Sequence, residues 1–315
     1  MDARSMKRGV LSLWAMAGLV GLGGCGPEAA EERGEAPLAE ARQGVSWYYI
    51  SFNGDLPSDL LWRNQATGNN TVWTTNGPTV TGSFAASPLA PNFTIQAASN
   101  FGGATGDPDL IIQTPTPGGE NALFLNAGAT IIGSAPIAPL PSADWYFAAS
   151  GDFNSDGLAD LVLHNRNTGQ WFYRYMNGPA LLGASAFFPR ALPWYIVGAA
   201  DFDLDGRTDL LWRNRSTGQN EIWRMSNTAV LGTVALPAQP LSFYVGATAD
   251  YTLDRRPDIV WHNPSSGQVV LWQMSAALTP TPSPLPFMSA GCPAWFSQAT
   301  PPPAIAGCNY LVGPR

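Results

Sequence analysis

The chain has very little charge of one kind: of 315 residues only Lys7 is lysine, and charged residues make up 12%. Sixteen cations face 23 acids, a net charge of -7, and loss of residues 1–24, which hold Arg4, Lys7, Arg8 and Asp2, would leave about -9. An acidic, lysine-free surface excludes general binding to nucleic acid or anionic lipid, because both need clustered cations. Histidine is nearly absent too, with His164 and His262 alone. No G-x-S-x-G, H-E-x-x-H or phosphate-loop pattern occurs, so no nucleophile elbow, zinc helix or phosphate cradle is on offer. The one long apolar run, 10–20, is too short to span a bilayer, for which about 20 residues are needed. Three cysteines are too few for a disulfide-built fold.

What is present in quantity is glycine (33) and proline (28), punctuating short apolar runs. That composition favours an all-β architecture over a helical one. The most complete unit spans 194–225, WYIVGAADFDLDGRTDLLWRNRSTGQNEIWRM. Two strands buried on both faces flank an acidic loop, and a turn at Asn214, Thr217 and Gly218 leads into a third strand. Such a unit cannot bury its own faces, so it must recur. It does. The opening aromatics stand at Trp47, Phe93, Trp145, Trp194 and Phe243, with an echo at Trp295, at intervals of 46, 52, 49, 49 and 52 residues. The strand after the loop recurs as DLLWRN, DLIIQT, DLVLHN, DLLWRN and DIVWHN, from Asp59, Asp109, Asp160, Asp209 and Asp258.

The loop of the fourth unit places Asp201, Asp203 and Asp205 at alternate positions, then Gly206, then Asp209. Calcium takes six to eight oxygens, and side chains at positions one, three, five and nine with a backbone carbonyl at seven can converge on one ion. The third loop repeats this with Asp152, Asn154, Asp156, Gly157 and Asp160, asparagine also offering a carbonyl oxygen. Without a cation the carboxylates would repel one another, so calcium is predicted in both. The fifth loop keeps Asp250, Asp254 and Asp258 but has Thr252 at position three and Arg255 in place of the glycine, which sets a positive charge beside any ion. The first loop begins with Ser51 and the second has lost the spacing, so both are expected to be empty.

These units, W-Y-x5-D-F-x2-D-G-x2-D-L-L-W-R-N-x2-T-G, resemble the FG-GAP/VCBS repeats that build β-propellers. The resemblance implies four-stranded blades around an axis, with calcium between the first two strands of a blade. It carries Asp152, Asn154, Asp156 and Asp160, and Asp201, Asp203, Asp205 and Asp209, over as ligands. Residues 45–315 accommodate about five blades. The tail from 288 onward, with NYLV at 309–312, either closes the ring together with the N-terminal strand or begins a reduced sixth blade. Five blades with a closing tail is the expectation.

Ahead of the propeller, Leu22-Gly-Gly-Cys25 resembles the lipobox of bacterial lipoproteins, which implies cleavage after residue 24 and lipidation of Cys25. Gly26, where aspartate would signal retention at the inner membrane, points to the outer membrane or the cell surface. Residues 26–44 carry five glutamates and few large apolar groups, the composition of a flexible tether. Cys292 and Cys308 remain as an even pair, expected to be joined in an oxidising compartment, with two free thiols as the alternative.

Function is expected to be binding rather than catalysis. The acids belong to the loops, and His164 and His262 take the strand position held elsewhere by Arg63 and Arg213, so they repeat as a structural feature does. A lectin-like or adhesion module contacting a glycan or surface protein would use aromatics beside Arg63, His164, Arg213 and His262. The alternatives are a scaffold in an envelope assembly and a carbohydrate-active enzyme.

Overall fold

The computed structural model describes residues 50–102, 106–113, 121–286 and the backbone of 309–312. Its strands run in chain order as β1 (Leu60–Asn64), β2 (Asn70–Asn76) and β3 (Thr79–Ala86); β4 (Thr94–Ser99), β5 (Asp109–Gln113), β6 (Asn121–Ala127) and β7 (Thr130–Pro136); β8 (Trp145–Gly151), β9 (Asp160–Asn165), β10 (Gln170–Asn177), β11 (Ala180–Ala184) and the short β12 (Phe188–Pro189); β13 (Trp194–Ala200), β14 (Asp209–Asn214), β15 (Asn220–Ser226) and β16 (Ala229–Leu236); β17 (Tyr244–Ala249), β18 (Asp258–Asn263), β19 (Gln268–Met274) and β20 (Pro280–Leu285); and finally β21 (Asn309–Val312). They form five antiparallel sheets, each a four-stranded blade, with β12 added to the third beside β10. The innermost strands β4, β8, β13, β17 and β21 neighbour one another in a closed cycle. This is a five-bladed β-propeller, as the repeat implied.

Blade one is closed by the far end of the chain. β21 pairs antiparallel with β1, Asn309 opposite Asn64 and Val312 opposite Leu61. The next residue of β1's approach, Asp59, donates its N–H to the Ile50 carbonyl at 2.6 Å. The two ends of the chain therefore share the inner edge of one blade. NYLV belongs to blade one, which settles the open choice about the tail against a sixth blade. Trp47, read as the opening of the first unit, the 1–24 signal, the tether, and the Cys292–Cys308 pairing all lie outside the described residues.

Second strands are buried on both faces: all six residues of β14 are buried, and Leu60, Leu161, Leu210 and Ile259 are at 0% exposure. Outer strands alternate exposed and half-buried residues, as an edge packed on one side requires. The inner strands of blades two to five each carry a register shift, such as that between Ile196 and Gly198, and these bulges bend the strand. Between blades, a basic or histidine side chain meets the tryptophan that starts one position earlier on the next blade. His164 stands 5.8 Å from Trp212, Arg213 lies 5.0 Å over Trp261, and His262 meets Trp62 edge-on at 5.2 Å, sealing the last blade to the first.

The T-G turn after the second strand of blades one, three and four tolerates no side chain. Gly218 has φ of +76°, and a Cβ there would sit 2.2 Å from the Gln239 carbonyl oxygen. Gly218→Ala is therefore expected to cost about 2 kcal/mol or more, from left-handed strain plus that collision. At about 2–4 °C per kcal/mol, the melting temperature should fall by at least about 4 °C. Gly77→Ala, at φ +58° in open space, should cost less, and equal losses would refute the collision.

Candidate functional site

Each loop joining an inner strand to the second strand lies at one end of the ring, and each T-G turn lies at the other. These loops thus share a face, and among the described residues three neighbouring pairs of them are linked by hydrogen bonds. The Ser58 N–H donates to the Asp250 carbonyl, the Ala159 N–H to the Asn100 carbonyl, and the Thr208 hydroxyl to the Asp152 carbonyl.

In the fourth loop, carboxylate oxygens of Asp201, Asp203 and Asp209 lie within 4.8 Å of one another, the only such acidic group among the described residues. Asp201 accepts the N–H groups of Asp205 and Gly206 at 3.0 and 2.8 Å. Asp209, fully buried, accepts from Phe202 and Met225 at 3.0 and 2.9 Å, which ties the loop to the third strand of its blade. Burial, opposed by these N–H groups and aided by the charges of Asp203 and Asp201, pushes Asp209 up to about 8. The Arg224 guanidinium lies 3.6 Å from Asp203 at the edge of this group, and an all-oxygen donor set of this kind fits calcium. Asp205 is not in the group; its carboxylate accepts the Arg207 N–H at 3.0 Å and lies 3.7 Å from the Arg207 guanidinium.

The third loop holds its shape through Asx turns. Asp152 accepts from Ser155, Asp156 and Gly157, and Asp156 accepts from the Asn154 amide at 2.9 Å. Asp160 bridges Phe153 and Met176 as Asp209 does, and burial drives it up to about 7. In the fifth loop Asp250 accepts from Thr252, Leu253 and Arg255, while Asp258 bridges Tyr251 and Met274. Arg255 holds the glycine conformation, with φ of 69°. Asp254 is occupied by the Arg256 N–H. Asp59 takes the same buried place in the first loop, where burial lifts it to about 7.

The four residues expected to line a glycan site do not do so. Arg63, His164, Arg213 and His262 are 0–4% exposed and sit inside separate blades. Arg63 donates to the carbonyls of Gly68, Ala90 and Phe93, and Arg213 to those of Gly218, Gln239 and Pro240, so each knits its turn to the connection leading to the next blade. The reason is strand parity: the second strand has no solvent face, whatever residue type stands on it. Burial, and for His164 the nearby Arg215 charge, lowers the histidines to about 3 and about 4, so both are neutral interior groups. The tryptophans are largely spent as well. Arg190, bridging blades three and four, lies 4.0–4.6 Å over Trp194, Trp212 and Trp223 and pairs with Glu221 at 2.6 Å.

Sequence reasoning passed over one group at the opposite, turn face. Tyr146 and Tyr195 follow the opening tryptophans of blades three and four, and Arg166 and Arg215 open the turns of the same blades. The Arg215 guanidinium stacks 3.6 Å from the Tyr195 ring centroid, and the Tyr195 hydroxyl donates to the Arg166 carbonyl at 3.4 Å. The recurring W-Y dipeptide and the R-x-T-G turn were the signal for it.

A family model described as an FG-GAP-like repeat matches residues 152–212 and 201–261, each match running from the first aspartate of one acidic loop to the second-strand tryptophan of the next blade. No curated protein matches the chain. Among solved structures it is similar to a dihydro-heme d1 dehydrogenase, NirN, in complex with DHE, at 13% identity and a TM-score of 0.35, over 75% of this chain and 56% of that one. The present chain thus spans just over half of that protein. The fold is thus a five-bladed β-propeller that carries FG-GAP-like repeats over residues 152–261, from the acidic loop of blade three to the second strand of blade five.

Proposed function

We propose that this propeller is a non-catalytic binding module, stabilised by structural calcium and displayed outside the cell on a lipid attached to Cys25, where it contacts a glycan or a partner protein. The observation that carries the calcium reading is the convergence of Asp201, Asp203 and Asp209 within 4.8 Å. Asp205 would join them by turning away from Arg207, and Asp152, Asn154, Asp156 and Asp160 would form a second site after a similar small rearrangement. Calcium supplies charge balance and cross-links the loop; it performs no chemistry here. Support for a non-catalytic role comes from the spent state of the usual catalytic groups: both histidines are interior and neutral, and the ninth-position aspartates are bound by backbone N–H groups. The glycan or protein contact must then use exposed loop and turn surfaces rather than the interior Arg63, His164, Arg213 and His262.

Calorimetric titration of chelator-treated protein with calcium tests the metal. About two ions per chain are expected, in the range of about 0.1–1 mM typical of extracellular calcium modules. Asp201→Asn should remove one of them, and no bound calcium at millimolar concentration would end the proposal. A glycan array together with pull-down from envelope extracts tests the binding role, which is abandoned if both are blank.

A further inference from the structure

At the turn face, the inner ends of blades three and four enclose a knot of positive charge in a chain whose net charge is -7. Arg166 and Arg215 are both half-buried there. Arg215 contacts the Tyr146 hydroxyl and stacks on Tyr195, yet its Nε is shielded from solvent and has no hydrogen-bond partner. Arg166 spends Nε and one terminal nitrogen on the carbonyls of Asp144 and Ala143, at 3.4 and 2.8 Å. Among the described residues no carboxylate forms an ion pair with either guanidinium. Asp144 is the acid that favours Arg166, and its carboxylate is taken by the Asn167 amide at 2.8 Å. The charge of Arg215 also bears unfavourably on Arg166, Arg213 and His164. Half-buried cations that repel one another, only one of them with an acid nearby and neither in an ion pair, are costly unless an anion joins them.

We propose that this knot is an oxyanion site in which Arg166 and Arg215, flanked by Tyr146 and Tyr195, hold a carboxylate, sulfate or phosphate group of a small ligand. Guanidinium forks match such groups with two parallel N–H bonds, and the two arginines come from adjacent blades, so one anion would bridge the blades. Blades one and five have Gln65 and Pro264 at the equivalent turn position, so the site is single rather than repeated around the ring. It lies at the end opposite the acidic loops and stands or falls separately from the calcium reading.

The test is calorimetric titration of the purified protein at constant ionic strength with sulfate, inorganic phosphate and glucuronate, with neutral glucose as control. Oxyanion binding is expected, with glucuronate against sulfate and phosphate separating a sugar acid from a free inorganic anion, and glucose inert. Arg215→Gln should weaken binding at least about 10-fold, the loss of a charge-assisted pair, and Arg166→Gln by several-fold. Without anion, Arg215→Gln should melt no lower than wild type, because an unpaired cation is removed. Should that variant fail to fold, Arg166→Gln carries the test, since its side chain makes only exposed hydrogen bonds. Unchanged affinity in the Arg166 variant, or no binding of any of the three anions at about 10 mM, overturns the site.

Discussion

EDTA is expected to lower the melting temperature of this protein by about 5–10 °C for each calcium site at pH 8, and by clearly less at pH 5. Calcium at about 100 times its dissociation constant stabilises a one-site protein by about 2.7 kcal/mol, and at this size 1 kcal/mol moves the midpoint by about 2–4 °C. The pH dependence follows from the loop aspartates. Without metal, burial and the neighbouring loop charges raise Asp209 to about 8 and Asp160 to about 7, against 3.8 for an ordinary aspartate. Between those values the folded chain binds more protons than the unfolded one. The metal-free protein therefore keeps the full contribution below about pH 4 and loses it as the pH rises through 7 to 8. A bound dication favours the ionised form and removes that loss, so the gap between calcium and EDTA widens with pH. Asp59 and Asp258, both near 7 and outside the two expected sites, should give a calcium-independent background of the same sign. His164 and His262 act oppositely, since their folded values near 3 and 4 remove stability as the pH falls below about 6.5. Asp209→Asn imitates the protonated acid, so its chelated form should melt no lower than chelated wild type at pH 8. Superimposable melting curves with and without EDTA at pH 8 would refute the calcium proposal.

Five blades were legible because the repeat agrees at independent offsets: the opening aromatic, the aspartate before the second strand, the asparagine that ends it and the glycine of the turn. Each maps onto a physical need; the aspartate recurs in all five units, the asparagine and turn glycine in units one, three, four and five. The closure of blade one by the far end of the chain was legible only as one of two choices for the tail, and the inner strand there is Asn309–Val312. The fate of Arg63 and Arg213 was not legible, because a basic residue beside tryptophan reads equally as a binding pair or as a buried clasp. Which it is depends on the neighbouring blade, whose Trp261 covers Arg213. The difference between the third and fourth loops was, by contrast, written in the sequence: the fourth brings Asp201, Asp203 and Asp209 together, while the third has Asn154 at the place of Asp203, and that amide donates to Asp156.

Removing residues 309–315 is expected to open the ring. β21 supplies the inner partner of β1 from Asn64 to Leu61, and its loss strips the ladder from a strand whose Leu60, Leu61 and Trp62 are at 0–1% exposure. The core at that seam joins Phe52, Trp62 and Val72 of blade one to Tyr251, Val260 and Leu271 of blade five. Further bonds cross the same seam, from the Gly77 and Ser58 N–H groups to the Tyr251 and Asp250 carbonyls. A closed ring distributes its packing over every interface, so an unpaired inner edge weakens the seam on both sides rather than at one strand alone. Exposure of part of a tryptophan-centred core costs about 3–5 kcal/mol, a large share of the 5–15 kcal/mol that holds a typical domain. The truncated protein should melt about 10 °C or more below the full chain, and hydrogen exchange should quicken first at the amides of β1 and β18. Deletion of 26–44 should leave both readouts within error, because that composition supports no core. The peptide NYLVGPR, added in excess to the truncated protein, should recover part of the lost stability by pairing with β1, as an added strand does at an exposed sheet edge. If the truncated protein melts with the full chain and keeps its exchange pattern, the C-terminal strand is not what closes this propeller.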